Sequence, residues 1–126
     1  MEKTQQIFQQ YHCFDDGALV SIEQRYQPGG VQAVRIVLYA RNHVLDGNVW
    51  RNVAITVGEV REVQVRMPGN FINRICCGVK LLRFGDAWCV DIDGTYTRDD
   101  PATLDEVRRD GDCYVIGGTV EVIELD

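Results

Sequence analysis

The feature that most constrains this chain is an apolar/polar alternation with period two, which recurs in one short segment after another. In ALVSIEQRY (residues 18–26), Val20, Ile22 and Tyr26 fall on one side and Ser21, Glu23 and Arg25 on the other. That is the pattern of a strand with one face in a core and one in water. QPGG at 27–30 supplies a turn, because Pro28 presets φ and the glycines reach positive φ freely. In VQAVRIVLYAR the residues Val34, Ile36, Leu38 and Ala40 face inward and Arg35, Val37 and Tyr39 face the other way, so the two segments predict a hairpin. NHVLDGN (42–48) reads as polar loop with an Asp-Gly turn. Separate strands are then expected at 49–57 (VWRNVAITV) and 60–67 (VREVQVRM), with Val63, Val65 and Met67 alternating against Glu62, Gln64 and Arg66.

Pro68 and Gly69 close that run, and NFINRICC has a short helical period with Asn70 as a candidate N-cap. GVKLLRFGDAWCVDID divides at Gly85 and Asp86 into a tight hairpin. Trp88, Cys89, Val90 and Ile92 make both faces of its second strand apolar, which predicts sheet on one side and helix on the other. Residues 2–11 predict a short helix with Ile7, Phe8 and Tyr11 as its apolar stripe. DDPATLDEVRR is the stronger helix signal: Asp99 or Asp100 caps, Pro101 fits the first turn, Arg108 and Arg109 sit in the last, and Gly111 stops it. CYVIGGTVEVIEL predicts a final hairpin around Gly117 and Gly118. The sum is a single α+β domain over residues 1–126, mainly antiparallel β, with seven or eight short strands in sequential order and two short helices. Its architecture is a curved sheet, a sandwich or a partly closed barrel. A parallel sheet is disfavoured, since helices do not alternate with strands as crossovers require.

Composition excludes several classes. No apolar run approaches the roughly 20 residues of a membrane helix. The start, MEKTQQIFQQ, lacks the apolar core of a secretory signal, so a cytoplasmic protein is expected. Five cysteines (Cys13, Cys76, Cys77, Cys89, Cys113) form no C-x-x-C pair and are odd in number. They are expected to be reduced and mostly buried, with Cys76 and Cys77 on opposite faces of a strand. The net charge of −6 disfavours nucleic acid as a partner. That charge is local: residues 86–112 hold nine acids against three arginines, while ten acids balance ten bases elsewhere. Arginine outnumbers lysine eleven to two, which suits planar pairing across neighbouring strands.

The stretch YHCFDD (11–16) offers two chemistries. His12, Cys13 and Asp15, with His43 beside Asp46, could ligate a metal, but recognised ligand spacing is absent. No G-x-S-x-G, phosphate-binding glycine loop or H-E-x-x-H occurs either, so the expectation is no enzyme, no metal and no cofactor. In the other reading Asp15 and Asp16 before Gly17 form a turn, an aspartate accepting from a backbone N–H two residues on, with Phe14 buried beneath.

The N-terminal amphipathic helix, the aromatic FDDG turn, the strands ALVSIEQRY and VQAVRIVLYA, and the closing CYVIGGTVEVIEL together resemble the small immunity-type proteins of bacterial polymorphic toxin systems. Here FDD stands where that family's pattern has FHD, and the histidine falls earlier, at His12. The resemblance implies a stoichiometric binder that blocks a cognate protein toxin. An acidic surface fits that role, because it steers association with a basic, phosphate-seeking site. The candidate contact residues are Asp99, Asp100, Asp105, Glu106, Asp110 and Asp112. Two other classes stay open. One is a small-molecule-binding barrel whose interior is lined by residues such as Tyr39, Trp50, Phe84 and Trp88. The other is a structural or adaptor subunit that forms a homodimer through an exposed sheet edge.

Overall fold

The computed structural model of the chain describes residues 2–96 and 100–125. Alternation does build the first hairpin. Strand β1 (Ala18–Tyr26) pairs antiparallel with β2 (Gln32–Arg41), and Val34, Ile36, Leu38 and Ala40 are fully buried. A bulge between Leu19 and Ser21 shifts the phase of β1, so Leu19 and Ile22 point to the core while Val20 is 56% exposed. Tyr26, expected inside, is 72% exposed at the strand end.

Strand number and order depart from expectation. The two segments at 49–57 and 60–67 are one sixteen-residue strand, β3 (Trp50–Val65). A register shift between Val60 and Glu62, and a left-handed Glu59 (φ 49°), reset the alternation without breaking the strand. The expected final hairpin is likewise one strand, β6 (Cys113–Glu124), running beside β3 along its length. Gly117 and Gly118 are strand residues, because β3 crowds them: a Cβ on Gly117 would lie 2.6 Å from the Gly58 carbonyl oxygen. NFINRICC forms no helix; Arg74 bridges to Ala18, and Asn73 and Ile75 exchange backbone hydrogen bonds with Leu19, Gly17 and Asp16. The described structure is therefore one six-stranded antiparallel sheet in the order β1-β2-β3-β6-β5-β4, with β4 (Val79–Phe84) and β5 (Ala87–Ile92) as the predicted tight hairpin. The sheet is not closed.

The sheet curves round its core. If flat, it would hold β1 and β4 about 24 Å apart at strand spacing. Yet Arg74, bridged to Ala18 of β1, precedes Val79 of β4 by five residues, at most about 18 Å of chain. One apolar cluster accordingly joins Leu19, Ile36 and Val57 to Val79, Val90 and Val115, and helix α1 (Glu2–Gln10) covers it with Ile7 and Phe8. On the outer side, helix α2 (Leu104–Asp110) sets Val107 over Ala87, Cys89, Tyr114 and Ile116. Strand β5 is buried at all six positions, as its two apolar faces predicted.

Candidate functional site

The YHCFDD corner is a left-handed turn. His12, Cys13 and Phe14 have φ of 49°, 54° and 62°, a conformation L-residues rarely take in succession. Burial holds it: Phe14 meets Phe8 edge-on at 5.1 Å and stacks on Tyr11 at 5.5 Å. His12 and His43 lie parallel with ring centroids 3.6 Å apart. Imidazole lone pairs lie in the ring plane, so rings stacked this way do not converge on one ion. Among the described residues no group of three His, Cys, Asp or Glu side chains is placed to hold a metal. Loss of hydration, then the neighbouring His12 and Arg41, lowers the pKa of His43. Asp15 accepts from the N–H of Asp16, one residue on, and Asp16 pairs with Arg74 at 3.3 Å.

Cysteine placement corrects an expectation. Cys89 and Cys113 are buried, but Cys13, Cys76 and Cys77 are exposed. Cys76 and Cys77 lie in a loop, where both N–H groups donate to Asp93 Oδ1.

The acidic segment is exposed and internally paired. Asp99 lies outside the described residues. Asp100 binds Lys80 at 2.8 Å, Asp105 binds Arg108 at 3.2 Å, Asp110 binds Arg109 at 3.1 Å, and Asp112 approaches Arg66 at 3.8 Å. Glu106 works for the helix: its N–H donates to the cap, Thr103 Oγ1, at 3.2 Å, and its carboxylate accepts from the Ala102 N–H at 2.8 Å. Thr103, rather than Asp99 or Asp100, is thus the N-cap, and Pro101 precedes the helix. Arg108 also grips Glu62 on β3, and the two carboxylates raise its pKa. Beside them Arg61 holds Asp86 through two contacts of 3.2 Å, which lowers the Asp86 pKa.

Beneath this segment lies a group that was not among the sequence candidates. Asp91 on β5 has no exposed surface; burial raises its pKa, and hydrogen bonding to the Tyr96 side chain and the Gly94 backbone opposes that rise. Burial and the neighbouring Asp91 carboxyl raise the pKa of the Tyr96 hydroxyl. Glycines make the space: a Cβ on Gly94 would lie 2.1 Å from Asp91 Oδ2, and one on Gly111 would lie 3.2 Å from Oδ1 and 3.1 Å from Tyr96 Oη. The sequence signal is a lone acid in the otherwise apolar run AWCVDI.

A second surface is the outer face of β1, β2 and β3. There Tyr39, 43% exposed, stacks on Trp50 at 5.5 Å, and Arg35 and Arg41 carry no ion pair among the described residues. Phe84 packs under α2 and Trp88 under the Arg83 guanidinium, so the four aromatics named for a barrel interior line no common space. No helix of the described chain is long and apolar enough to cross a membrane. Comparison with protein-family models, curated proteins and solved structures found no match.

Proposed function

We propose that this chain is a non-enzymatic binding protein of the immunity type, which neutralises a cognate protein toxin stoichiometrically through the acidic surface of α2 and its flanks. It uses no metal or cofactor, and neither nucleic acid nor membrane is its partner. One observation carries the reading: the carboxylates of α2 and its flanks reach water, the Asp105 side chain being 93% exposed, and its partner Arg108 is also in water. Such pairs are screened and exchangeable, so a partner's cations can replace the internal arginines without unfolding anything. The ridge then governs association rate and salt dependence, while any carboxylate that becomes desolvated carries affinity.

The test starts with a pull-down from the source cell read by native mass spectrometry, followed by association kinetics. Asp105→Lys combined with Asp112→Lys is the informative variant, since neither residue caps the helix. It should slow binding and flatten its dependence on ionic strength, with Arg35→Ala as the control. A second reading is favoured by the Tyr39–Trp50 face, which suits an adaptor or a homodimer. If charge reversal leaves binding unchanged while Tyr39→Ala abolishes it, that face is the interface.

A further inference from the structure

Strand β4 is one margin of the sheet, and the phase of its ladder leaves a definite set of backbone groups open. The turn at Gly85 (φ 63°) and Asp86 joins Phe84 to Ala87 as a directly hydrogen-bonded pair, and in an antiparallel ladder such pairs alternate. Phe84, Leu82 and Lys80 therefore bond to β5, while the N–H and C=O groups of Arg83, Leu81 and Val79 point away from it. The Asp93 N–H donating to the Gly78 carbonyl at 2.9 Å keeps the same phase. Among the described residues nothing bonds to those outward groups. The opposite margin differs, because the chain closes the start of β1 itself: the Leu19 N–H donates to the Asn73 carbonyl and the Ile75 N–H to the Gly17 carbonyl.

The open margin borders a groove of about 570 Å³. Val79, Lys80, Leu81 and Leu82 all line it, although alternate side chains of a strand point to opposite faces, so the groove runs along the edge and not over one face. Its far wall is helix α1, through Gln5 and Phe8. Space between a helix and unpaired ladder groups fits one extended chain, whose own backbone can satisfy those groups. Charge narrows the occupant. Lys80 is held by Asp100 at 2.8 Å, but Arg83 is exposed, lies over the Trp88 ring at 4.6 Å and forms no ion pair among the described residues. A second copy of β4, VKLLRF, offers Arg83 no acid in any register.

We propose that the free edge of β4 is a docking groove for one extended segment of a partner protein, which adds antiparallel to β4 and sets an acid opposite Arg83 and, two residues later, an apolar side chain opposite Leu81. The two side chains share a face because Arg83 and Leu81 do, and the antiparallel direction fixes their order. Main-chain hydrogen bonds to Leu81 and Arg83 supply the attachment, and the acid and the apolar group supply the selectivity. This surface is separate from α2, and the proposal does not rest on the toxin-binding reading.

The experiment titrates the isolated full chain by NMR with a capped heptapeptide of threonines that carries glutamate and, two residues later, valine. Binding should appear at about 1 mM peptide or below, with shifts at residues 79–84 and in α1, and with slowed exchange of the Leu81 and Arg83 amides. Methylating the backbone nitrogens of the peptide's glutamate and valine should abolish it, since those N–H groups face β4. Arg83→Ala should weaken the glutamate peptide about threefold, as an exposed ion pair allows, and leave the glutamine version unchanged. Absence of binding, shifts confined to other surfaces, or binding indifferent to methylation would each overturn the proposal. So would concentration-dependent protection of the same amides in the chain alone, which would assign the edge to a second copy.

Discussion

Cys89 shows how little of its behaviour depends on being a thiol. It is fully buried among Ala87, Val107, Tyr114 and Ile116, and burial pushes its pKa up to about 12. Cys89→Ser should lower unfolding free energy by about 1–3 kcal/mol in denaturant titration, because the hydroxyl finds no partner there. Asp91 has the opposite polarity and predicts a pH effect. Its folded-state pKa of about 6 lies above the unfolded value of 3.8, so its contribution to stability is fully present below that value and lost as pH rises through 6. Asp91→Asn should therefore stabilise the protein at pH 7.5 by up to about 3 kcal/mol, and the gain should shrink toward zero near pH 4, by thermal unfolding across that range. Gly94→Ala drives a methyl to 2.1 Å from Asp91 Oδ2 and should cost about 1–3 kcal/mol through overpacking. The acid in AWCVDI was visible in the sequence, but its complete burial was not, because Gly94, Tyr96 and Gly111 reach it only through the fold.

At the scale of elements, local chemistry placed α1, the β1–β2 hairpin and the β4–β5 hairpin where alternation and turn residues predicted them. Helix α2 also lies where expected, but its cap moved to Thr103, whose hydroxyl is reached by the Glu106 N–H. Thr103→Ala should cost about 1 kcal/mol, measured by denaturation, and should fray α2 first. Sequence reasoning failed at the glycines of β3 and β6. A pair such as Gly117-Gly118 is the usual mark of a turn, but here it lets two long strands pass closely at a change of register, where a Cβ on Gly117 would lie 2.6 Å from Val57 Cγ1. Gly117→Ala should thus destabilise strongly despite an otherwise ordinary strand conformation, and a tolerated alanine would refute the close approach. Pairing across neighbouring strands occurs where Arg51 of β3 reaches Glu124 of β6, while Arg61 reaches Asp86 in the turn between β4 and β5.

For the whole molecule, no stabilising ion is expected: the thermal transition should be unchanged by excess chelator, and a drop in midpoint would reveal a site that the stacked His12 and His43 rings do not provide. Binding of a toxin should weaken with added salt if the α2 ridge is the interface, since exposed charges lose their long-range pull beyond a Debye length of about 8–10 Å. By itself the sequence determined the class of structure, because a period-two pattern places side chains on alternate faces and leaves antiparallel strands as the way to bury one of them. It also determined both helices and the localisation of charge in residues 86–112. Only the tertiary structure decided that β3 pairs with β6, that the sheet curves until the approach to β4 meets β1, and that Asp91 is sealed from water. Those are contacts between residues far apart in the chain, set by which surfaces exclude water together, and no local pattern of residues encodes them.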